Sequence, residues 1–286
     1  MAQSESEHGV SYKKPKLHYS SRLMAALTRF AGSITTEVKN PLVEKYGDAY
    51  DFLIKGDAHR LREETEDAIR SYEKAIQLNP AFIEAYIGMA RCFRRKGDLR
   101  RAIFTYTKAL TFNAFDKEVH LELAKCHNEA GNPTKGIYHF RQALKIDSQF
   151  IDAKFNLALC LELQGDIVEP SKLYEEIIVQ DADFLPAYNN LGSIYMRQGL
   201  YKSAEVMFRQ LIELAPDFSR GFLGLAISLD RSNRPQEALA YYEKLLALKA
   251  HTRNREYVEN RVVNLRKTLG RKSTATRNGA ILVRVK

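Results

Sequence analysis

Three cysteines and several histidines are the residues here with the most reactive chemistry, and their spacing is the first thing to explain. Cys126 and His127 are adjacent in KCHNEAG, residues 125–131, with His120 seven residues before and His139 twelve after His127. Such a pair suits a reactive thiol with its base or half of a metal site. His120 and His127 stand two helical turns apart on one face, so with His139 they could converge on a metal. The cysteines argue otherwise. Cys92, Cys126 and Cys160 lie 34 residues apart, in RCFRRKG, KCHNEAG and LCLELQG, and are one repeat position seen three times. Equivalent positions on packed helices are about 8–10 Å apart, beyond the roughly 7 Å within which a disulfide closes. Cysteine there serves as a small apolar filler, and a histidine replacing a core aromatic has a sufficient structural explanation. The stretch reads as packing, with no metal or cofactor.

No enzyme motif stands elsewhere. GxxxxGK[ST], GxGxxG, HExxH, GxSxG and CxxC are all missing from the sequence. The carboxylate pairs Glu63–Glu64 and Glu175–Glu176 sit on solvated helix faces. The expectation is a non-enzymatic chain.

The elements that position these residues follow from the 34-residue frame. Units start at Ala49, Ile83, Lys117, Ile151, Leu185 and Ser219 and fill residues 49–252 without an insertion. Apolar residues recur at helical spacing in two helices per unit. Between them stand Gly97, Gly131, Gly165, Gly199 and Asn233, types that tolerate the left-handed backbone ending a helix. Position 24 is aromatic in every unit (Tyr72, Tyr106, Phe140, Tyr174, Phe208, Tyr242), and position 8 is always Gly or Ala. Pro80 and Pro216 close second helices, which proline cannot continue. Lys154 stands at a usually aromatic position, Gly136 and Pro170 replace a packing alanine, and Lys55 and Glu63 make the first unit irregular.

This pattern resembles the tetratricopeptide repeat family. The resemblance implies an all-α, right-handed solenoid of stacked antiparallel helix pairs, with six repeats at 49–82, 83–116, 117–150, 151–184, 185–218 and 219–252. It also implies a concave groove lined by the first helix of each pair. On this sequence the implied groove holds Ile87, Leu121, Phe155, Leu159, Leu223 and Ile227 as apolar contacts. Asn156 and Asn190 would hold a peptide backbone, since an amide offers donor and acceptor together, and Asn189 stands in the mostly apolar row of position 5. Arg91, Arg94, Arg95 and Lys125 could receive an acidic segment, Arg94 and Arg95 selecting acidic flanks, and Arg197 and Arg220 also line the implied groove. The carboxylate clamp of chaperone-binding relatives is disfavoured, because Phe155 and Leu159 stand where it needs Lys and Asn.

Charge locates the remaining segments. The 286 residues carry a net +9, and 45% are apolar. Residues 49–252 hold 27 basic and 28 acidic side chains, whereas 253–286 hold 10 and 2, so the basicity belongs to the C-terminal end. Residues 253–270 are expected to form a capping helix through Tyr257, Val258, Val262 and Leu265, and 271–286 a basic flexible tail. Residues 1–20 read as disordered and 21–48 as a helical N-terminal cap, with membrane or organelle contact through 21–32 as its rival. The most apolar run, FLGLAISL, is too short to span a bilayer, the start MAQSESEHGV carries no secretory signal, and unpaired cysteines suit a reducing cytoplasm. The function expected is a scaffold binding a protein or peptide partner in the groove, homo-oligomerisation being compatible with it. The alternatives are an adaptor for nucleic acid, the ribosome or acidic membrane acting through the tail, and a regulatory subunit of a separate enzyme.

Overall fold

The computed structural model describes residues 47–248 and 254–283, with the backbone alone from 271 onward. The expected N-terminal segments, 1–20 and nearly all of 21–48, lie outside the described residues. Among the described residues there are thirteen helices and no strand. They fall into two compact units, divided between Gly97 and Asp98.

The first unit contains α1 (Asp48–Leu61), α2 (Thr65–Leu78) and α3 (Ile83–Arg95). The second contains α4 (Leu99–Phe112), α5 (Lys117–Glu129), α6 (Pro133–Ile146), α7 (Ile151–Leu163), α8 (Val168–Gln180), α9 (Leu185–Arg197), α10 (Tyr201–Leu214), α11 (Ser219–Arg231), α12 (Pro235–Ala247) and α13 (Arg255–Val283). α3, α5, α7, α9 and α11 therefore begin 34 residues apart.

In the second unit each pair is bent back by one residue in the left-handed region, Gly131, Gly165, Gly199 or Asn233, and Gly97, the last residue of the first unit, takes the same backbone conformation, with φ between 60° and 88° in all five. In the first pair Glu63 does this work at φ 66°, a conformation that disfavours a side chain. The turn leading out of each pair has its own device. Asn79, Asn113, Asp147 and Asp181, one per repeat, accept the backbone N–H two residues on through Oδ1, at 2.9–3.1 Å. Helix starts are fixed by Asp98 and Asp116, whose carboxylates take first-turn N–H groups, and by Pro133, Pro186 and Pro235 in first turns.

The second unit has two continuous cores. One joins Leu121, Phe140, Leu157, Tyr174 and Leu191; the other joins Phe208, Phe222, Leu225, Tyr242 and Leu245. First helices of neighbouring repeats touch, α5 with α7 and α9 with α11, so they form the tighter, inner layer and the second helices the outer one. The last core is completed by Val258, Val262 and Leu265 of α13, and Arg261 grips Asp230 of α11 through two bonds of 2.6 and 2.7 Å. Tyr257 is half exposed and stands off the buried stripe. α13 also does not stop at Gly270. It runs to Val283, so the stretch expected to be a flexible tail is helical up to that residue. An interior glycine costs a helix only about 1 kcal/mol.

Candidate functional site

Inner-layer positions of the second unit differ sharply in how open they are. Leu121 is only 2% exposed and belongs to the core, which corrects its expected place on the groove surface. Position 5 lies at the seam between two first helices, so its exposure depends on the neighbour's side chains. Phe155, at the same position, is half-buried and packs its ring against Phe184 at 5.2 Å and Tyr174 at 5.9 Å. Leu159, Leu223 and Ile227 are half-buried, and Leu163 at the end of α7 is 83% exposed. These give the inner face its apolar surface. Lys125 is drawn back to Glu122 at 3.2 Å, and Arg220 is exposed.

The asparagines are not equivalent. Asn156 turns its amide nitrogen onto the Asp152 carbonyl of its own helix at 2.7 Å. Asn189 donates to Asn190 Oδ1 at 3.0 Å, and Asn190 donates to the Tyr174 hydroxyl at 3.1 Å. That hydroxyl donates to Glu162 Oε2 at 3.1 Å, and Glu162 binds Arg197. Burial, then the Glu162 carboxylate, holds the Tyr174 pKa above its ordinary value, so the hydroxyl remains a donor. Asn190 is thus fixed by both ends of its amide, while one N–H and one lone pair stay available. Position 24 had been marked by its aromatic character alone; its hydroxyl, set under position 6 of the next repeat, is what orients Asn190.

In the first unit Ile87 is half-buried on α3. Arg95 donates to the Arg60 carbonyl and to Thr65 Oγ1, and Arg91 and Arg94 also have partners. Arg95 is therefore part of the unit's own bonding, where acidic flanks of a ligand had been expected to meet it.

The opening residues resolve as follows. Cys92, Cys126 and Cys160 are buried and none is in a disulfide, and burial raises the pKa of Cys92 and Cys160. His120, His139 and His127 form a stack, with centroids 5.3 and 5.6 Å apart. Stacked rings do not aim their nitrogens at a common point, and no metal-binding group of three or more His, Cys, Asp or Glu occurs among the described residues. His120 meets His139 Nδ1 to Nδ1 at 3.0 Å and the Ala114 carbonyl through Nε2 at 3.2 Å. His139 is pushed down to about 4, by burial first and then by His120, His127 and Lys135. No helix among the described residues is long and apolar enough to cross a membrane.

Comparisons with known proteins agree with this architecture. Models described as TPR repeat or tetratricopeptide repeat match residues 56–91, 88–149, 185–218 and 222–256, together more than half of the chain. No curated protein matches the sequence. Among solved structures, PilF of Pseudomonas aeruginosa is 15% identical, with a TM-score of 0.64 over 76% of this chain and 99% of that one. MamA is 23% identical, with a TM-score of 0.53 over 56% of this chain and 93% of that one. YrrB, described as a TPR protein with an unusual peptide-binding site, is 21% identical, with a TM-score of 0.52 over 65% and 96%. At such identities the likeness speaks for the fold alone. With the repeat models spread along the chain and paired helices recurring at the same period, the protein belongs to the tetratricopeptide repeat family, as an all-α repeat scaffold for protein–protein interaction.

Proposed function

We propose that the inner layer of the second unit binds an extended peptide segment of a partner protein. The observation that carries this reading is Asn190, held by Asn189 and Tyr174 with half of its amide capacity unspent. A pre-oriented amide pairs with a peptide unit regardless of side chain and loses little entropy in doing so. Leu159 and Leu163 on one side, and Leu223 and Ile227 on the other, supply apolar contacts beside it. Asn156, held by Asp152 of its own helix through one N–H, keeps its other N–H and its amide oxygen for a ligand but is oriented by that bond alone. Arg220, with no carboxylate partner among the described residues, is the cation best placed to select an acidic flank.

The test is recovery of partners from native lysate with the full chain, followed by titration of the recovered segment as a synthetic peptide. Asn190→Ala combined with Leu223→Ser should weaken binding by at least about tenfold, the loss of one hydrogen bond and one apolar contact. Full binding by that variant, together with loss on deleting residues 271–286, would move the function to the C-terminal segment and end this reading.

A further inference from the structure

The outer layer of the second unit carries a signal that the groove does not use. α4 and α6, the second helices of the second and third repeats, have three basic residues each and no Asp or Glu: Arg100, Arg101 and Lys108, then Lys135, Arg141 and Lys145. The outer helices that follow are otherwise. α8 sets Glu169, Glu175 and Glu176 against Lys172, α10 is balanced, and α12 sets Glu237 and Glu243 against Lys244. The segregation is local.

Aromatic rings are segregated to the same two helices. Phe104 and Tyr138 occupy position 22 of consecutive repeats and are 63% and 58% exposed. Phe112 and Ile146, both at position 30, are exposed as well. At those positions α8 presents Lys172 and Gln180, and α10 the aliphatic Val206 and Leu214. Two cations are already used, Arg101 by Asp98 at 2.5 Å and Arg141 by Glu169 at 2.9 Å. Arg100 and Lys145 have no carboxylate partner among the described residues, and Lys108 lies over the Phe104 ring at 5.8 Å. A solvated helix face ordinarily mixes both signs and hides its rings. A face that concentrates rings and unneutralised cations together fits an interaction surface.

We propose that the α4–α6 face docks an acidic amphipathic segment of a partner protein, with apolar side chains on Phe104 and Tyr138 and carboxylates on Arg100, Lys108 and Lys145. Lys108 can keep its methylenes on the Phe104 ring while its ammonium turns to the ligand. The rings supply contact area at low entropic cost, and the cations supply orientation and a salt-dependent on-rate. Single-stranded nucleic acid fits less well. A base would have to displace Lys108 from the Phe104 face, and position 30 offers the aliphatic Ile146 as often as a ring.

The experiment selects displayed random peptides of about 20 residues, some 30 Å as a helix, on the full chain, with counter-selection against the exposed-ring variant Phe104→Ala/Tyr138→Ala. The surviving peptides should be net negative, with aromatic or leucine residues at i, i+3 or i+4. A synthesised representative should bind the Phe104→Ala/Tyr138→Ala and Lys108→Glu/Lys145→Glu variants at least about tenfold more weakly, and Leu223→Ser/Ile227→Ser as well as the parent chain. The proposal falls if no peptide survives counter-selection, if survivors are neutral or basic, or if either face variant binds like the parent. It falls equally if oligothymidylate binds this face more tightly than the peptide and loses binding in the same variants.

Discussion

At position 4 the third and fourth repeats carry polar side chains where the fifth and sixth carry rings, and at position 6 the fourth and fifth carry asparagine where the sixth carries glycine. At position 4, His120 and Lys154 stand against Tyr188 and Phe222, and all four are buried. At position 6, Asn156 and Asn190 follow the third and fourth repeats' aromatics, whereas Gly224 follows Phe208. In three of the four polar cases another helix supplies the partner: His139 for His120, Glu176 at 2.9 Å for Lys154, the Tyr174 hydroxyl for Asn190, whereas Asn156 bonds back to Asp152 of its own helix. The difference teaches that the fold prescribes a volume at each position, while the chemistry inside that volume is settled locally. Where local pairing leaves capacity unspent, as at Asn190, a side chain keeps the hydrogen bonds that the proposed peptide-binding role requires.

The largest expected effect breaks the comparison at position 6. A Cβ added at Gly224 would lie 2.5 Å from the Phe208 ring, and that ring is also closed in by Gly192. Gly224→Val should cost about 3 kcal/mol, the upper end of overpacking penalties. Asn190→Val, which loses only hydrogen bonds over Tyr174, should cost about 1 kcal/mol. Urea unfolding followed by circular dichroism measures both. Equal losses would mean that Phe208 and Tyr174 do not differ in the room they leave.

Much of this was legible in the sequence, and the rest fails for identifiable reasons. The 34-residue period, the left-handed breaks at Gly131 and Asn233, and the aromatic at position 24 depend on residues within one repeat. What was missed depends on neighbours. Leu121 is buried by what stands beside it at the seam of two first helices. A Cβ at Gly136 would displace the Asn128 side-chain oxygen, which in turn accepts from the Cys160 thiol at 3.4 Å. The Asn or Asp at position 31 did carry a readable signal, a turn-forming side chain recurring in four repeats. In the candidate site the asparagines were visible, but which of them was oriented was not, since that rests on a hydroxyl from another helix.

Acid should separate the two regions next. His139 titrates at about 4 against 6.5 when unfolded, held down by burial and then by His120, His127 and Lys135, and burial also lowers His127. Below the unfolded value the unfolded chain takes up protons that the folded stack refuses. The stack's contribution is therefore whole above about pH 6.5 and is lost as pH falls toward 4. The shift corresponds to up to about 3 kcal/mol and, after a discount for partial solvent access, about 2 kcal/mol. Hydrogen exchange at pH 5 should open α5 and α6 ahead of α11 and α12, where Phe222 and Leu229 do not titrate. His139→Gln should remove most of that slope.

A smaller effect sharpens the comparison by exchanging its members. Tyr174→Phe makes the fourth repeat's ring like the fifth's, and strands Glu162 and Asn190 with one partner fewer each. It should cost about 1 kcal/mol and weaken peptide binding in the inner layer through the freed Asn190. Phe208→Tyr places a hydroxyl against Gly224, which has no side chain to receive it, and should destabilise without altering binding.

The smallest effect concerns the one break that lacks a suitable residue. Gly97, Gly131, Gly165 and Gly199 take φ of 74–88° without steric penalty, and Asn233 is the next best type. Glu63 takes φ 66° with only a local return: Glu64 N–H reaches the His59 carbonyl at 2.9 Å, and Thr65 N–H reaches the Glu63 carbonyl at 2.9 Å. No bond of the Glu63 side chain offsets the strain. Glu63→Gly should therefore raise stability by about 0.5–1 kcal/mol, relief of a left-handed side chain less the added entropy of an unfolded glycine. The same change at Asn233, already tolerant, should be close to neutral. A thermal melt of the two variants side by side tests this, and a gain at Asn233 equal to that at Glu63 would show that residue type at the break does not matter to the pair it closes.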